Sequence, residues 1–196
     1  MSDAAPTPAL VFDAMCLNHF ARAERLDVLR DLLAGTVCLT THVVREEIRE
    51  GVREHPALQT VLDADRSGLA RLDTLEEIRS FTKWAKRIGS EKRHLGEVSV
   101  SSAAEPRGGI AITDDRKAVR VGRKYDLEVH GTLRLLDRAC RDGKLHEVAA
   151  GNIVDALRAT GMRPPCSGAD FGSHVRRNTG TCSHCRARSQ RFESAG

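Results

Sequence analysis

The stretch Ile110-Ala111-Ile112-Thr113-Asp114-Asp115-Arg116 decides how this chain is read. A short apolar run closed abruptly by two carboxylates is the pattern of a strand buried on both faces, with its charged end emerging into a crevice. Pro106 to Gly109 makes a turn before it, and a basic segment with helical spacing runs from Arg116 to about Tyr125 after it. Strands that alternate with helices belong to a parallel sheet rather than to hairpins. The same grammar recurs upstream. Ala9-Leu10-Val11-Phe12 is an apolar run ended by Asp13, and Thr36-Val37-Cys38-Leu39-Thr40 is short and β-branched.

Working outward, Leu17, Phe20, Leu26, Leu29, Leu32 and Leu33 keep helical spacing up to Gly35 and predict a continuous helix. Thr41 is a predicted N-cap for a helix carrying Val43, Val44, Glu47 and Ile48, which Pro56 interrupts before Leu58, Val61 and Leu62 resume. Gly68 to Asp73 reads as a short extended piece. Thr74 with Glu77 makes a capping box for a helix containing Ile78, Phe81, Trp84 and Ile88, and Gly89-Ser90 separates it from one carrying Leu95, Glu97, Val98 and the small run Ser101–Ala104. Leu127-Glu128-Val129 is a further short strand, followed by helices over Thr132–Cys140 and Val148–Thr160. The expected fold class is α/β: a three-layer α/β/α sandwich around a central, mainly parallel sheet, plus a short C-terminal tail. Residues 1–8 read as a disordered lead, 9–163 as the folded domain, and 164–196 as a basic, cysteine-containing, disordered tail.

Composition supports a folded core and narrows the function. Hydrophobic residues make up 40% of the 196 and charged residues 30%, while aromatics are only 4%, so the core must be aliphatic and base-stacking platforms are scarce. No apolar run reaches the ~18–20 residues that cross a bilayer, and Met1–Pro8 lacks the features of a secretory signal. The expectation is a cytoplasmic chain without a membrane segment. Cys16, Cys38 and Cys140 stand apart in apolar or helical patterns and suit a reducing compartment. The net charge of +4 is concentrated: residues 164–196 carry +3 and the rest of the chain only +1.

In open α/β sheets, sites form beyond the carboxyl ends of strands. Asp13 and the pair Asp114-Asp115 fall at such ends, Glu47 lies early in the helix after the second strand, and Glu97 early in the helix before the Ile110 strand. Each acid alone has an ordinary role open to it. Glu47 neighbours Glu46 and Glu50 on a charged helix, Glu97 could balance a helix dipole, and Asp13 or Asp114 could cap a helix. Together they place carboxylates from four separate segments in one crevice, which is unfavourable without a cation. Hard oxygen donors select Mg²⁺ or Mn²⁺ over zinc, and the chemistry such a site supports is metal-assisted phosphodiester hydrolysis.

The set Val11-Phe12-Asp13, Val43-Val44-Arg45-Glu46-Glu47-Ile48, Leu95-Gly96-Glu97 and Ile112-Thr113-Asp114-Asp115-Arg116 resembles the PIN domain family, most of all the small prokaryotic members allied to toxins of toxin–antitoxin pairs. The resemblance spans about Leu10 to Gly161 and takes in Gly131-Thr132-Leu133. It implies an α/β/α sandwich that binds Mg²⁺ or Mn²⁺ and cuts RNA. Carried over, Asp13, Glu47, Glu97 and Asp115 would be the catalytic acids, with Asp114 an additional acid that could join Asp13, Glu97 and Asp115 on the metal. Thr113 falls at the small hydroxyl position near the ion. Many members follow the first Asp with Ser, Thr or Asn, where this chain has Ala14-Met15-Cys16. That departure motivates an alternative, a non-catalytic PIN-like module binding RNA or protein; a nuclease acting on DNA is a third reading.

Two basic clusters accompany the acids. Arg79, Lys83, Lys86, Arg87, Lys92 and Arg93 form one; Arg116, Lys117, Arg120, Arg123 and Lys124 form the other, with Arg116 and Lys117 placed to bind substrate beside Asp115. Such clusters suit a phosphate backbone, although charge runs are commonly just a solvated face. In the tail, Cys182-Ser183-His184-Cys185 supplies half a zinc site that Cys166 and His174 could complete, but the spacing matches no standard finger and a basic extension is the preferred reading. His42, His55 and His94 are read as surface residues. The sequence thus points to an Mg²⁺- or Mn²⁺-dependent endoribonuclease with RNA as substrate, and with an antitoxin protein and a second copy of the chain as candidate partners.

Overall fold

The computed structural model describes residues 7–63 and 68–178. Five short strands, β1 (Leu10–Phe12), β2 (Cys38–Thr41), β3 (Gly68–Ala70), β4 (Ile110–Ile112) and β5 (Val129–His130), form one sheet in the order β3-β2-β1-β4-β5. Every pairing is parallel, with Phe12 opposite both Thr40 and Ile112. All three residues of β1 and all three of β4 are buried, so successive side chains find cover on both faces. Helices supply that cover: α1 (Ala14–Arg22), α2 (Leu26–Leu32), α3 (His42–Val52), α4 (Gln59–Asp63), α5 (Leu75–Ile88), α6 (Leu95–Ala104), α7 (Arg116–Lys124), α8 (Thr132–Arg141), α9 (Glu147–Ala159) and α10 (Phe171–Asn178). The architecture is the expected α/β/α sandwich. Among the described residues no helix is long and apolar enough to cross a membrane.

The strand order matters most for function. From β1 the chain moves outward through β2 to β3, then returns to the other side of β1 for β4 and β5. The carboxyl ends of β1 and β4 therefore flank the point where the winding reverses, the place where open α/β sheets leave a crevice. Helix α6 lies over this region, packed on β1, β2 and β4, and Gly96 together with Val98 through Ala104 is buried. Its small residues permit that close approach. Ser99 donates to the Gly96 carbonyl at 2.8 Å, leaving its oxygen to accept from Thr41, 2.7 Å away, while Thr41 itself caps α3 by accepting the Val44 N–H at 3.2 Å. The Thr74–Glu77 capping box of α5 is present as the spacing implies.

Two stretches depart from the sequence reading. The helix expected from Leu17 through Leu33 is two helices, because Glu24 turns back in the left-handed region at φ 55° and Arg25 N–H closes the first helix onto the Phe20 carbonyl. An apolar spacing carries no record of such a break, since both halves still face the core. The second departure is in the expected disordered tail. Residues 171–178 form α10, which packs on α9, with Phe171 only 1% exposed and Val175 against the core. The Gly168 N–H donates to Asp155 of α9 at 2.8 Å, and Arg176 pairs with Glu147 at 3.0 Å. A segment too poor in apolar residues to build a core can still complete one. Cys182, His184 and Cys185 lie outside the described residues.

Candidate functional site

Asp13 follows β1 directly and occupies the N-cap position of α1, yet its side chain makes no capping bond. It is 5% exposed and accepts a hydrogen bond from the Thr113 hydroxyl at 3.0 Å. Burial, reinforced by Glu97 and Glu47, raises its pKa from the usual 3.8 to about 7, against the lowering effect of the Thr113 bond. Glu47 projects from the second turn of α3 and is half-buried, with its carboxylate packed against Gly96 of α6. A β-carbon at position 96 would lie 2.8 Å from one Glu47 carboxylate oxygen, so glycine leaves the Glu47 carboxylate room to lie there. Burial, then Glu97 and Glu50, push the Glu47 pKa upward. Glu97, in the first turn of α6, is also raised, by burial and by Asp115, with His94 and Lys117 acting the other way.

Thus Asp13, Glu47, Glu97 and Asp115 come from four elements and influence one another electrostatically at one end of the sheet. Among the described residues none of the four has a Lys, Arg or His within ion-pairing distance. Neighbouring acids behave differently: Glu46 pairs with Arg49 and with His42 on the exposed side of α3. Also among the described residues, no three His, Cys, Asp or Glu side chains already converge into a group that could enclose an ion.

The two acids that close β4 separate. Asp115, not Asp114, caps α7, accepting the Ala118 N–H at 2.7 Å. Asp114 turns toward α8, where it accepts both the N–H of Thr132 at 2.9 Å and its hydroxyl at 2.5 Å. Adjacent residues of an extended segment point to opposite sides, so only one of them faces Glu97. Thr113 does two jobs: besides donating to Asp13, its oxygen accepts the Asp115 N–H at 3.2 Å.

Lys117 stands at the rim with its Nζ 3.3 Å from Nε2 of His94, a half-buried residue that the sequence reading left on the surface. The pair comes from segments 23 residues apart, and nothing in the spacing announces it. Arg116 is exposed at the start of α7. Arg120, Arg123 and Lys124 continue along that helix, exposed and without ion-pair partners among the described residues, toward Tyr125, whose ring lies 3.7 Å from the Arg87 guanidinium of α5. Arg87 also sits over Trp84 at 4.9 Å. A shallow groove of about 450 Å³ on α5 is lined by Ile78, Arg79, Thr82, Lys83, Lys86 and Arg87. The groove belongs to one helix face, and none of Asp13, Glu47, Glu97 and Asp115 lines it.

A family model described as the PIN domain matches residues 9–167. The chain is similar in structure to VapBC2 from Rickettsia felis, solved bound to a DNA fragment from its promoter, at 12% identity and a TM-score of 0.48 over 63% of this chain and 98% of the other. It is also similar to VapBC-1 from nontypeable Haemophilus influenzae, at 14% identity and a TM-score of 0.42 over 63% of this chain and 97% of the other. No curated protein matches. With the family model spanning the sheet, helices α1 to α9 and all four acids, the chain belongs to the PIN domain family.

Proposed function

We propose that this chain is an Mg²⁺- or Mn²⁺-dependent endoribonuclease acting as the toxin of a toxin–antitoxin pair. The observation that carries the nuclease reading is the set of four carboxylates at the winding reversal of the sheet, none within ion-pairing distance of a Lys, Arg or His among the described residues, one of them buried with its pKa at about 7. Such a set is costly to keep ionised on its own, and a hard divalent ion is the group that offsets the cost. The donors fit: all are carboxylate oxygens, and no thiolate is placed among them. Asp13, Glu97 and Asp115 would hold the principal ion, and Glu47 would hold or orient it or a second one.

When bound, the ion polarises the scissile phosphate and activates a water for in-line attack. The chain's own residues then have separable tasks. Thr113 fixes the Asp13 carboxylate, while Arg116 and Lys117 neutralise the incoming phosphodiester, Lys117 being oriented by His94. The partners are RNA as substrate, an antitoxin protein that restrains the activity, and a second copy of the chain. The test is cleavage of an RNA oligonucleotide with Mn²⁺: Asp13→Asn and Asp115→Asn should each fall to background while circular dichroism shows an unchanged fold. Undiminished cleavage by both variants would remove the assignment.

A second reading, a non-catalytic module that binds RNA or protein, is favoured by the lack, among the described residues, of a ready-made ligand group. It differs in expecting no Mn²⁺ uptake by the wild-type chain.

A further inference from the structure

Thr113, Asp114 and Asp115 are consecutive, yet each is tied to a different element. Thr113 donates to Asp13 beside α1, Asp115 caps α7, and Asp114 receives both polar groups of Thr132 at the start of α8. The Thr132 hydroxyl also lies 3.3 Å from the Sγ of Cys16, which is fully buried in the first turn of α1. A hydroxyl has one proton, and a carboxylate can only accept. That proton is shared, mainly with the Asp114 carboxylate at 2.5 Å and more weakly with Cys16 Sγ, which accepts at 3.3 Å. The bonds close a ring: from Asp114 through Thr132 to Cys16, back along the backbone to Asp13, across to Thr113, and on to Asp114. Gly131 is part of it, since a β-carbon there would stand 2.6 Å from Asp114 Oδ1.

We infer that Thr132 is a positioning residue for the acidic centre, anchored by Asp114 and supported by Cys16, and that this ring sets the separation of Asp13 and Asp115. Asp114 then serves the site by holding the strand-to-helix turn, with its charge balanced by the α8 N-terminus, and is not a ligand of the ion. Cys16 acts through Thr132. The inference rests on the metal reading of the site, and its test separates the two.

The full chain is compared with Thr132→Val, Thr132→Ser, Asp114→Asn and Asp114→Ala by amide hydrogen exchange across residues 113–118 and by Mn²⁺ titration. Groups that orient metal ligands typically matter by roughly 10–100-fold in metal affinity, so Thr132→Val should bind Mn²⁺ about tenfold more weakly and Thr132→Ser should return to within about threefold of wild type. Exchange at residues 113–118 should quicken about tenfold in Thr132→Val and recover in Thr132→Ser, as local opening becomes easier. Asp114→Asn keeps an oxygen for the Thr132 N–H and should stay near wild type in both readouts, whereas Asp114→Ala should resemble Thr132→Val. If Thr132→Val fails to fold, the two Asp114 variants carry the same contrast. Wild-type exchange in Thr132→Val or Asp114→Ala overturns the ring. Loss of Mn²⁺ binding in Asp114→Asn as complete as in Asp115→Asn makes Asp114 a ligand and overturns the assignment. A wild-type chain that takes up no Mn²⁺ overturns the metal reading, and the exchange contrast alone then decides the ring.

Discussion

Two groups of acids in this molecule live under opposite conditions. Where the start of α5 packs beside the end of α6, Glu77 is 6% exposed and accepts from the Thr74 N–H and hydroxyl, the Asp73 N–H and the Arg107 guanidinium. Glu105 accepts from Ser80 at 2.7 Å, Trp84 at 3.1 Å and Lys83 at 2.6 Å. Burial pulls both pKa values upward, but these partners outweigh it and hold both below the usual 4.5. Beyond the carboxyl ends of β1 and β4, Asp13, Glu47 and Glu97 are raised instead: burial leads in each, joined by Glu97 and Glu47 at Asp13, by Glu97 and Glu50 at Glu47, and by Asp115 at Glu97, where His94 and Lys117 act the other way. The same residue types in one fold are thus either compensated by hydrogen bonds and ion pairs or not, and under the proposed function the uncompensated set is the one that takes up an ion.

The largest effect should fall on the compensated side. Breaking a buried, hydrogen-bonded ion pair by removing one partner costs about 3–5 kcal/mol, so Glu77→Ala should lower stability by that order in urea unfolding. A loss below about 1 kcal/mol would show that the α5 anchor is no stronger than a surface pair.

On the uncompensated side the sign reverses. The folded state holds the Asp13 proton more tightly than the unfolded chain, so its contribution to stability is greatest below pH 3.8 and is lost as the pH rises toward about 7. Metal-free wild-type protein should lose melting temperature across that window, and Asp13→Asn should flatten the decline and be more stable at pH 7.5 by about 1–3 kcal/mol. Glu77 and Glu105, being depressed, lose their contribution as the pH falls below 4.5. The two groups therefore bracket the stability optimum from opposite sides. A metal-free melting curve that rises between pH 4 and pH 7 in wild type and is unchanged by Asp13→Asn would erase the distinction.

Gly96→Ala sharpens the comparison at lower cost. The added methyl would displace the Glu47 carboxylate, which lies within 2.9 Å of it. Stability should change by less than about 1 kcal/mol, while Mn²⁺ affinity falls roughly tenfold by titration. The smallest effect on stability should come from Arg120→Glu with Lys124→Glu, exposed positions whose change stays within about 0.5 kcal/mol. Their consequence should appear in RNA binding measured in EDTA: each lost phosphate contact reduces the salt-dependence slope by about 0.7 for a single strand. An unchanged slope would remove α7 from the RNA path.

Much of this was legible in the chain. The apolar run ending in Thr113-Asp114-Asp115, the run ending in Asp13, and the Thr74–Glu77 box are local patterns whose physics needs no tertiary knowledge, and they suffice to place the sheet and α5. The order of the acids along strands and helices was enough to bring Asp13, Glu47, Glu97 and Asp115 into consideration together. What escaped depends on distant pairs. The division of labour between Asp114 and Asp115 is decided by Thr132, 18 residues from Asp114. The half-buried state of His94 is decided by Lys117, and the ordering of residues 171–178 by a surface of α9 that Phe171 covers. The break at Glu24 is a backbone conformation with no marker in a hydrophobic period.

The claim beneath all of this is that the acids at the ends of β1 and β4 await a divalent ion. Calorimetric titration of the metal-free chain with Mn²⁺ at pH 7.5, beside Asp13→Asn, tests it most directly. The expected result is saturable uptake by wild type with a rise in melting temperature, equivalent to about 2.7 kcal/mol at a hundredfold excess over Kd, and the loss of both in the variant. No uptake by wild type, or equal uptake by Asp13→Asn, would contradict it.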